Sequence, residues 1–569
     1  MQRTTRGMSL IDVIVGVALI LIVFLALLGL LRASVLLSAM SKSKAMATSI
    51  AESQVEYIRG LSYDSVGTIG GIPAGVVPQY ATTTVNSITF VTRTFIDYYD
   101  DPADGIGGAD SNGIITDYKR IKVTVSYQAG QQIRTVNFIS TYTPQGLETT
   151  TGGGTLKIVV VNAASAPVTG ATVSIVNAST SPTVNLTTFS DINGLVYLPG
   201  AATSSQYQIY VSKNGYSSAQ TYARDSTNQN PTPGYLTVAT NLTTTQTFAI
   251  DTLATLSVRT YTPVATTTFT DAFANGNLIT QLNSTIASGG VLTLVGGPSS
   301  YVPSGSAVST TTAPSYLAAW SSASSTITTP NGTTAVFHVV DSNGTLIPDS
   351  TLPGNSSGFS SSVNLAGVST TTYPSLALRA DLTTSSTTTA PTISQWGLGY
   401  MRGPVPLANV PFTLTGAKTV GSTGGGGPIY KTNVATTTSS VGQNFLTLEW
   451  DSYTLGLTAY DTVEACTPPT YVLIPGSVTV ASLYLVPATA NSVLVAAADA
   501  SNVPVPGATV TVSRPGTSKT LLTSACGTAY FGSLASASDY TITVSKSGYT
   551  TDTNTGVTIS GHLFYDDSL

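Results

Sequence analysis

At 569 residues the chain is too long for one hydrophobic core and implies several domains. Charged residues make up only 9% while hydrophobic ones make up 42%, a balance that excludes an intrinsically disordered chain. A net charge of −5 predicts no nucleic-acid partner, and two cysteines with two histidines exclude a disulfide-dense scaffold or a four-thiolate zinc site. The polarity comes mostly from Ser and Thr, with Gly and Pro as punctuation, which suits short strands and tight turns.

The N-terminus carries the strongest signal. Residues 13–31, VIVGVALILIVFLALLGLL, form an uncharged apolar run. As a helix it spans about 28 Å, close to the hydrocarbon thickness of a bilayer. A short leader, MQRTTRG, precedes it, and Arg3 and Arg6 keep that flank cytoplasmic. A signal anchor shares these features; simple secretion fits less well, because the run is long and ends in Arg32.

Residues 7–13, Gly-Met-Ser-Leu-Ile-Asp-Val, resemble the prepilin cleavage and methylation motif. The resemblance implies cleavage between Gly7 and Met8 by a prepilin peptidase, then N-methylation of Met8. It also implies that Asp12 sits in the apolar helix and offsets the positive N-terminus of a neighbouring pilin subunit, since a lone carboxylate in lipid is costly. The family's usual residue at that position is Glu, so Asp12 keeps the charge and shortens the reach. Residues 1–7 are thus expected to be the leader and 8–150 a pilin-like domain.

The helix is predicted over about residues 9–61. Residues 32–61 contain no Pro, and Ala47, Ala51, Val55 and Ile58 recur on one helical face. Residues 51–67, AESQVEYIRGLSYDSVG, resemble the helix end of PilV-like minor pilins. Three alternating segments within 78–146 predict a small antiparallel sheet against the helix. Between the first two lie Asp100, Asp101, Asp104, Asp110, Asn112 and Asp117. Hard cations take six to eight oxygens, so calcium is a candidate cofactor, as in the comparable loop of secretion pseudopilins. The spacing is not that of an EF-hand, and Asp and Gly are also ordinary turn formers, so an unliganded acidic turn fits as well.

Beyond a linker at 146–154 an internal repeat sets the domain size. Pro167, Gly170, Ala171, Thr172 and Val173 match Pro504, Gly507, Ala508, Thr509 and Val510; Lys213, Gly215 and Tyr216 match Lys546, Gly548 and Tyr549. The pattern resembles the carboxypeptidase regulatory-like domain, a transthyretin-like β-sandwich, at 151–250 and 488–569. A degenerate copy is expected at 403–487, with Trp450 and Tyr453 where the others have Tyr207 or Tyr540, interrupted by VGSTGGGGPIYKTN. Residues 251–402 resemble a jelly-roll or concanavalin-like module, in which Trp320 and Trp396 are either core or stacking surfaces for a glycan. Cys466 and Cys526 fall in adjacent modules, where an exported chain allows a disulfide and two free thiols fit equally.

The expected fold is therefore mainly β with one long N-terminal α-helix: a pilin-like head, then tandem β-sandwiches. The sequence reads as a non-enzymatic minor pilin in the cytoplasmic membrane and on a surface filament, displaying modules for adhesion. A pseudopilin of a type II secretion or DNA-uptake system shares the N-terminus. A signal-anchored carbohydrate-binding protein is the remaining alternative. No paired carboxylates stand out for a glycan-active enzyme.

Overall fold

The computed structural model describes residues 10–101, 103, 116–130, 132–144, 153–464 and 470–569. The chain is mostly β, with one long N-terminal helix and a series of β-sandwich-like sheets. The helix α1 spans Leu10–Arg59, about 75 Å at 1.5 Å per residue. Its last turns pack on a four-stranded antiparallel meander of Tyr80–Val85, Ile88–Tyr99, Tyr118–Ala129 and Gln132–Tyr142. Ala47, Ala51, Val55 and Ile58 are buried against Ile121, Val123 and Val125, which alternate along one face of the third strand. The two alanines let the helix lie close to the sheet, and the alternation is the two-residue strand period meeting a helical stripe.

The sheet has one strand more than the sequence predicts. Tyr80–Val85 joins Ile88–Tyr99 through Asn86 and Ser87, both at positive φ (49° and 63°), a tight hairpin without the usual glycine.

Three sandwiches downstream share one wiring. In each, the first strand lies parallel to the last and antiparallel to a middle strand. Gly154–Val161 sits between Thr243–Ala249 and Leu195–Ala201, and Ser492–Ala498 sits between His562–Ser568 and Thr528–Phe531. The second copy is built the same way, but its first strand is Ala254–Thr262, between Val478–Pro487 and Gln443–Leu448. A boundary at 251–402 is therefore corrected: TLSVRTYTP opens the middle sandwich, whose core joins Leu256 and Val258 to Phe412, Leu414 and Tyr453. The segment 265–402 is an insert. It replaces the turn that elsewhere leads from Val161 to Pro167 or from Ala498 to Pro504, and Tyr261 pairs with Pro406 at the corresponding place.

The insert is itself a two-sheet antiparallel sandwich. One sheet contains Leu317–Thr328 and Thr392–Arg402, the other Thr333–Asp341 and Leu376–Thr384. Trp320, Phe337 and Trp396 fill the space between them.

Two details identify the three copies as one fold. Gly194, Gly442 and Gly527 all lie at positive φ (73°, 70° and 72°). A Cβ on any of them would collide with the carbonyl of Val160, Thr260 or Ala497 on the first strand, at 2.3, 2.7 and 2.6 Å, so the chain needs glycine where it crosses that strand. A buried tyrosine closes each second sheet: the hydroxyls of Tyr207, Tyr453 and Tyr540 donate to the carbonyls of Ala202, Glu449 and Ala535. Tyr453, not Trp450, is thus the equivalent of Tyr207 and Tyr540. Replacing Tyr540 by Phe keeps the ring and removes the bond; it is expected to cost about 1 kcal/mol in urea unfolding, against ~3–5 kcal/mol for Tyr540→Ala.

Candidate functional site

Because the chain is a row of modules behind an apolar helix, its working parts are the helix surface and the joints that orient the modules. From Val17 to Leu37 the helix leaves large side chains such as Ile20, Phe24, Leu30 and Leu37 exposed all round. It is long and apolar enough to cross a membrane, and none of the apolar stretch is covered by the protein. Gly7 and Met8 lie outside the described residues. Asp12 lies within α1, and its side chain is outside them.

Of the acidic loop, Asp104, Asp110 and Asn112 lie outside the described residues. Asp100 is buried, and Asp117 Oδ2 accepts from the backbone N–H of Asp101 at 2.6 Å. Among the described residues no group of three His, Cys, Asp or Glu is gathered as metal ligands require.

The head meets the first sandwich through Gln79 and Arg93. Gln79 Nε2 donates to Asn185 O at 2.6 Å, and Arg93 Nη2 donates to Thr187 O at 2.7 Å with its guanidinium 4.7 Å from the Phe189 ring centre. Ile72, from the loop after α1, is buried in the core of that sandwich.

The first and middle sandwiches are sewn by a shared sheet. Asn230–Pro231 pairs with Thr419–Ser422, which pairs with Pro428–Tyr430. The glycine-rich interruption VGSTGGGGPIYKTN is therefore the arm that makes this joint. Beside it Lys431 Nζ reaches Ser218 O at 2.7 Å and Glu449 Oε2 at 2.8 Å, and Lys418 lies 3.4 Å from the same oxygen. Glu449 is 7% exposed. Burial pushes the Lys418 ammonium below its ordinary pKa, against the pull of Glu449.

The middle and last sandwiches meet around buried Asp461. Its Oδ1 lies 2.8 Å from His562 Nδ1, and its Oδ2 accepts from Tyr530 OH at 2.5 Å and from Thr489 N at 3.3 Å. An apolar cavity of about 210 Å³, lined by Leu455, Tyr471, Leu494 and Leu563 among others, opens beside it. Ser492 Oγ is 3.0 Å from His562 Nδ1. Serine, histidine and aspartate are the residues of a hydrolytic triad, but here serine and aspartate share one ring nitrogen. A general base must sit between its orienting acid and its nucleophile, with one on each nitrogen, so this cluster is a clamp rather than a relay.

Residues 492–562 match the carboxypeptidase regulatory-like domain. The first and middle sandwiches repeat its strand wiring. Among curated proteins no sequence matches the chain. Among solved structures, the chain is similar to the Bacillus anthracis TIE protein at 11% identity, with 86% of this chain and 71% of that one covered and a TM-score of 0.16. It is also similar to BcpA, the major pilin subunit of Bacillus cereus, at 9% identity, 73% and 99% coverage and a TM-score of 0.13. A Streptococcal ancillary pilin is similar at 10% identity, 64% and 76% coverage and a TM-score of 0.16.

Trp320 and Trp396 are 1% and 0% exposed, so neither offers a ring face to a glycan. Trp320 Nε1 donates to Tyr373 O at 2.8 Å, and Trp396 packs 5.3 Å from Phe273; both anchor the insert's core. Cys526 is buried and disulfide-bonded, while Cys466 lies outside the described residues.

The last sandwich also carries a strained acid that the sequence gives no reason to single out. Asp567 is 3% exposed, and burial, with the charges of Asp552 and Asp566, pushes its pKa up to about 6. The raised value means its carboxyl is carried without cost below the ordinary Asp range near 3.8 and weakens the module as pH rises through about 6. Asp567→Asn should therefore raise the melting temperature at pH 7–8 and flatten the pH dependence between about 4 and 6; equal melting of the two proteins at pH 4 and pH 8 would contradict it.

Proposed function

We propose that the chain is a minor pilin of the type IV kind, a non-enzymatic subunit that carries adhesive β-modules on a surface filament. The observation that carries this reading is α1 itself: one continuous helix whose first half is apolar and uncovered, and whose second half is packed into a small β head. A simple anchor needs only the first half. A filament subunit needs both, because apolar helices must bundle with those of other subunits while the head stays fixed to the same rod.

In this reading prepilin peptidase cuts between Gly7 and Met8, Met8 is methylated, and Asp12 pairs with the amino terminus of a neighbouring subunit. The chain rests in the inner membrane, N-terminus cytoplasmic, before assembly, and the modules then lie outside the cell. The side-chain joints at Arg93, Lys431 and Asp461 suit a stalk that projects its last module in a set direction. Cys466, as the other cysteine of the chain, is our proposed partner for Cys526, adding a covalent clamp beside the Asp461 joint.

Mass spectrometry of membrane and sheared-surface fractions tests the reading. A chain beginning at methylated Met8 and enriched in the sheared fraction is expected, and Gly7→Leu should trap the unprocessed form in the membrane. A wild-type chain that still begins at Met1 and stays with the membrane would replace it with a signal-anchored surface protein.

A further inference from the structure

The first sandwich carries a groove on its outer face. It measures about 270 Å³ and runs over the outer face of Thr172–Asn177 and Ser204–Ser212. Ser174, Gln208, Tyr210, Gln220, Tyr222 and Tyr235 supply its polar and aromatic lining. Among the described residues no charged side chain lines it, and no protein partner engages the side chains of Gln208, Tyr210, Gln220 or Tyr235.

Two independent differences create this groove. The first is in the strand. Aligning the buried tyrosines Tyr207, Tyr453 and Tyr540 places Gln208 and Tyr210 opposite Thr454 and Gly456 in the middle copy and Thr541 and Thr543 in the last. Only the first copy puts an amide and an aromatic ring on that face. The second difference is a loop. In the last copy the chain passes directly from Tyr549 to the strand Asp552–Ile559, whereas in the first it makes an excursion over 222–235 before Leu236–Val238, the strand that pairs at the same place. That excursion forms the groove wall, and it is held in shape. Tyr222 N donates to Pro233 O at 2.9 Å, and Asp225 Oδ1 accepts from Thr227 N at 2.8 Å and Asn228 N at 2.7 Å. On its far side Asn228 Nδ2 and Thr232 N both donate to Val420 O of the middle sandwich, each at 3.0 Å.

Uncharged amides and hydroxyls set among tyrosine rings are complementary to a ligand rich in hydroxyls with apolar C–H faces. Tyrosine gives a flat surface for such a face at little cost in side-chain entropy, and glutamine can donate to and accept from neighbouring hydroxyls. Among the described residues no charged side chain lines the groove to meet an acidic or basic ligand, and Glu449, whose charge reaches Tyr222, is buried and paired with two lysines. We infer that this groove binds a neutral oligosaccharide, which Tyr210, Tyr222 and Tyr235 stack against and Gln208 and Gln220 hold by hydrogen bonds. The biological setting rests on the surface-display reading; the binding itself does not.

The test uses the purified full chain in detergent on an array of neutral and acidic glycans, beside the variant Gln208→Thr/Tyr210→Thr. That variant carries the residues of the last copy on an exposed face, so its thermal transition should match the wild type. Binding to a neutral glycan is expected, weakened at least ten-fold in the variant, while Thr541→Ala/Thr543→Ala in the last copy leaves it unchanged. Binding to no neutral glycan, binding to acidic glycans alone, or equal binding by the folded variant would overturn the inference. Processing and shear fractionation report separately on surface display, so either reading can fail alone.

Discussion

The parallel pairing of a first strand with a last strand governs everything beyond the head. In the middle sandwich that pairing joins Ala254–Thr262 to Val478–Pro487, across the whole of 263–477. A flexible loop that long would make the closure slow and entropically costly, because the penalty grows with the logarithm of loop length. The insert avoids it by bringing its own ends together: Ala265 lies opposite Arg402 on paired strands. From the side of the host sandwich, a folded body with adjoining ends costs little more than the short turn it replaces. The insert can therefore sit at a hairpin tip without opening the sheet that carries it.

How much of this was legible follows from the range of each signal. The helix and its buried stripe are local, and Ala47, Ala51, Val55 and Ile58 lie where their spacing puts them. The first and last sandwiches are legible because their turn residues recur in order. The middle one is obscured by two long-range events. Its first strand is separated from the rest by the insert, and its arm at 419–430 looks like an interruption because its partner, Asn230–Pro231, belongs to another module. Trp320 and Trp396 could not be placed on either face by pattern alone; only the packing of two sheets decides it. The hairpin at Asn86–Ser87 lacks a glycine and so lacks its usual signature.

Charge is scarce in this chain, and two of its buried carboxylates lie at joints. Glu449 holds two lysines between the first and middle sandwiches, and Asp461 holds His562 and Tyr530 between the middle and last. Removing such groups from water is expensive, and an apolar contact of the same size often stabilises as well. What an apolar contact lacks is direction. Two β-sandwiches meeting through leucines can slide or rotate, whereas a carboxylate accepting from a tyrosine and facing an imidazole fixes one orientation. Holding neighbouring modules in one relative orientation takes that property more than it takes stability.

The same reasoning links the groove to the joint. Its wall, 222–235, is also the segment that the middle sandwich grips through Val420 and the strand Thr419–Ser422. A ligand that requires the wall in place binds better when the joint is formed, and by linkage the joint is then strengthened by the ligand to the same degree. Tension that separates the first and middle sandwiches would loosen the wall and weaken binding. Conversely, an occupied groove would resist that separation. If the groove is occupied as inferred, one loop, 222–235, thus ties the ligand to how firmly the two modules hold each other.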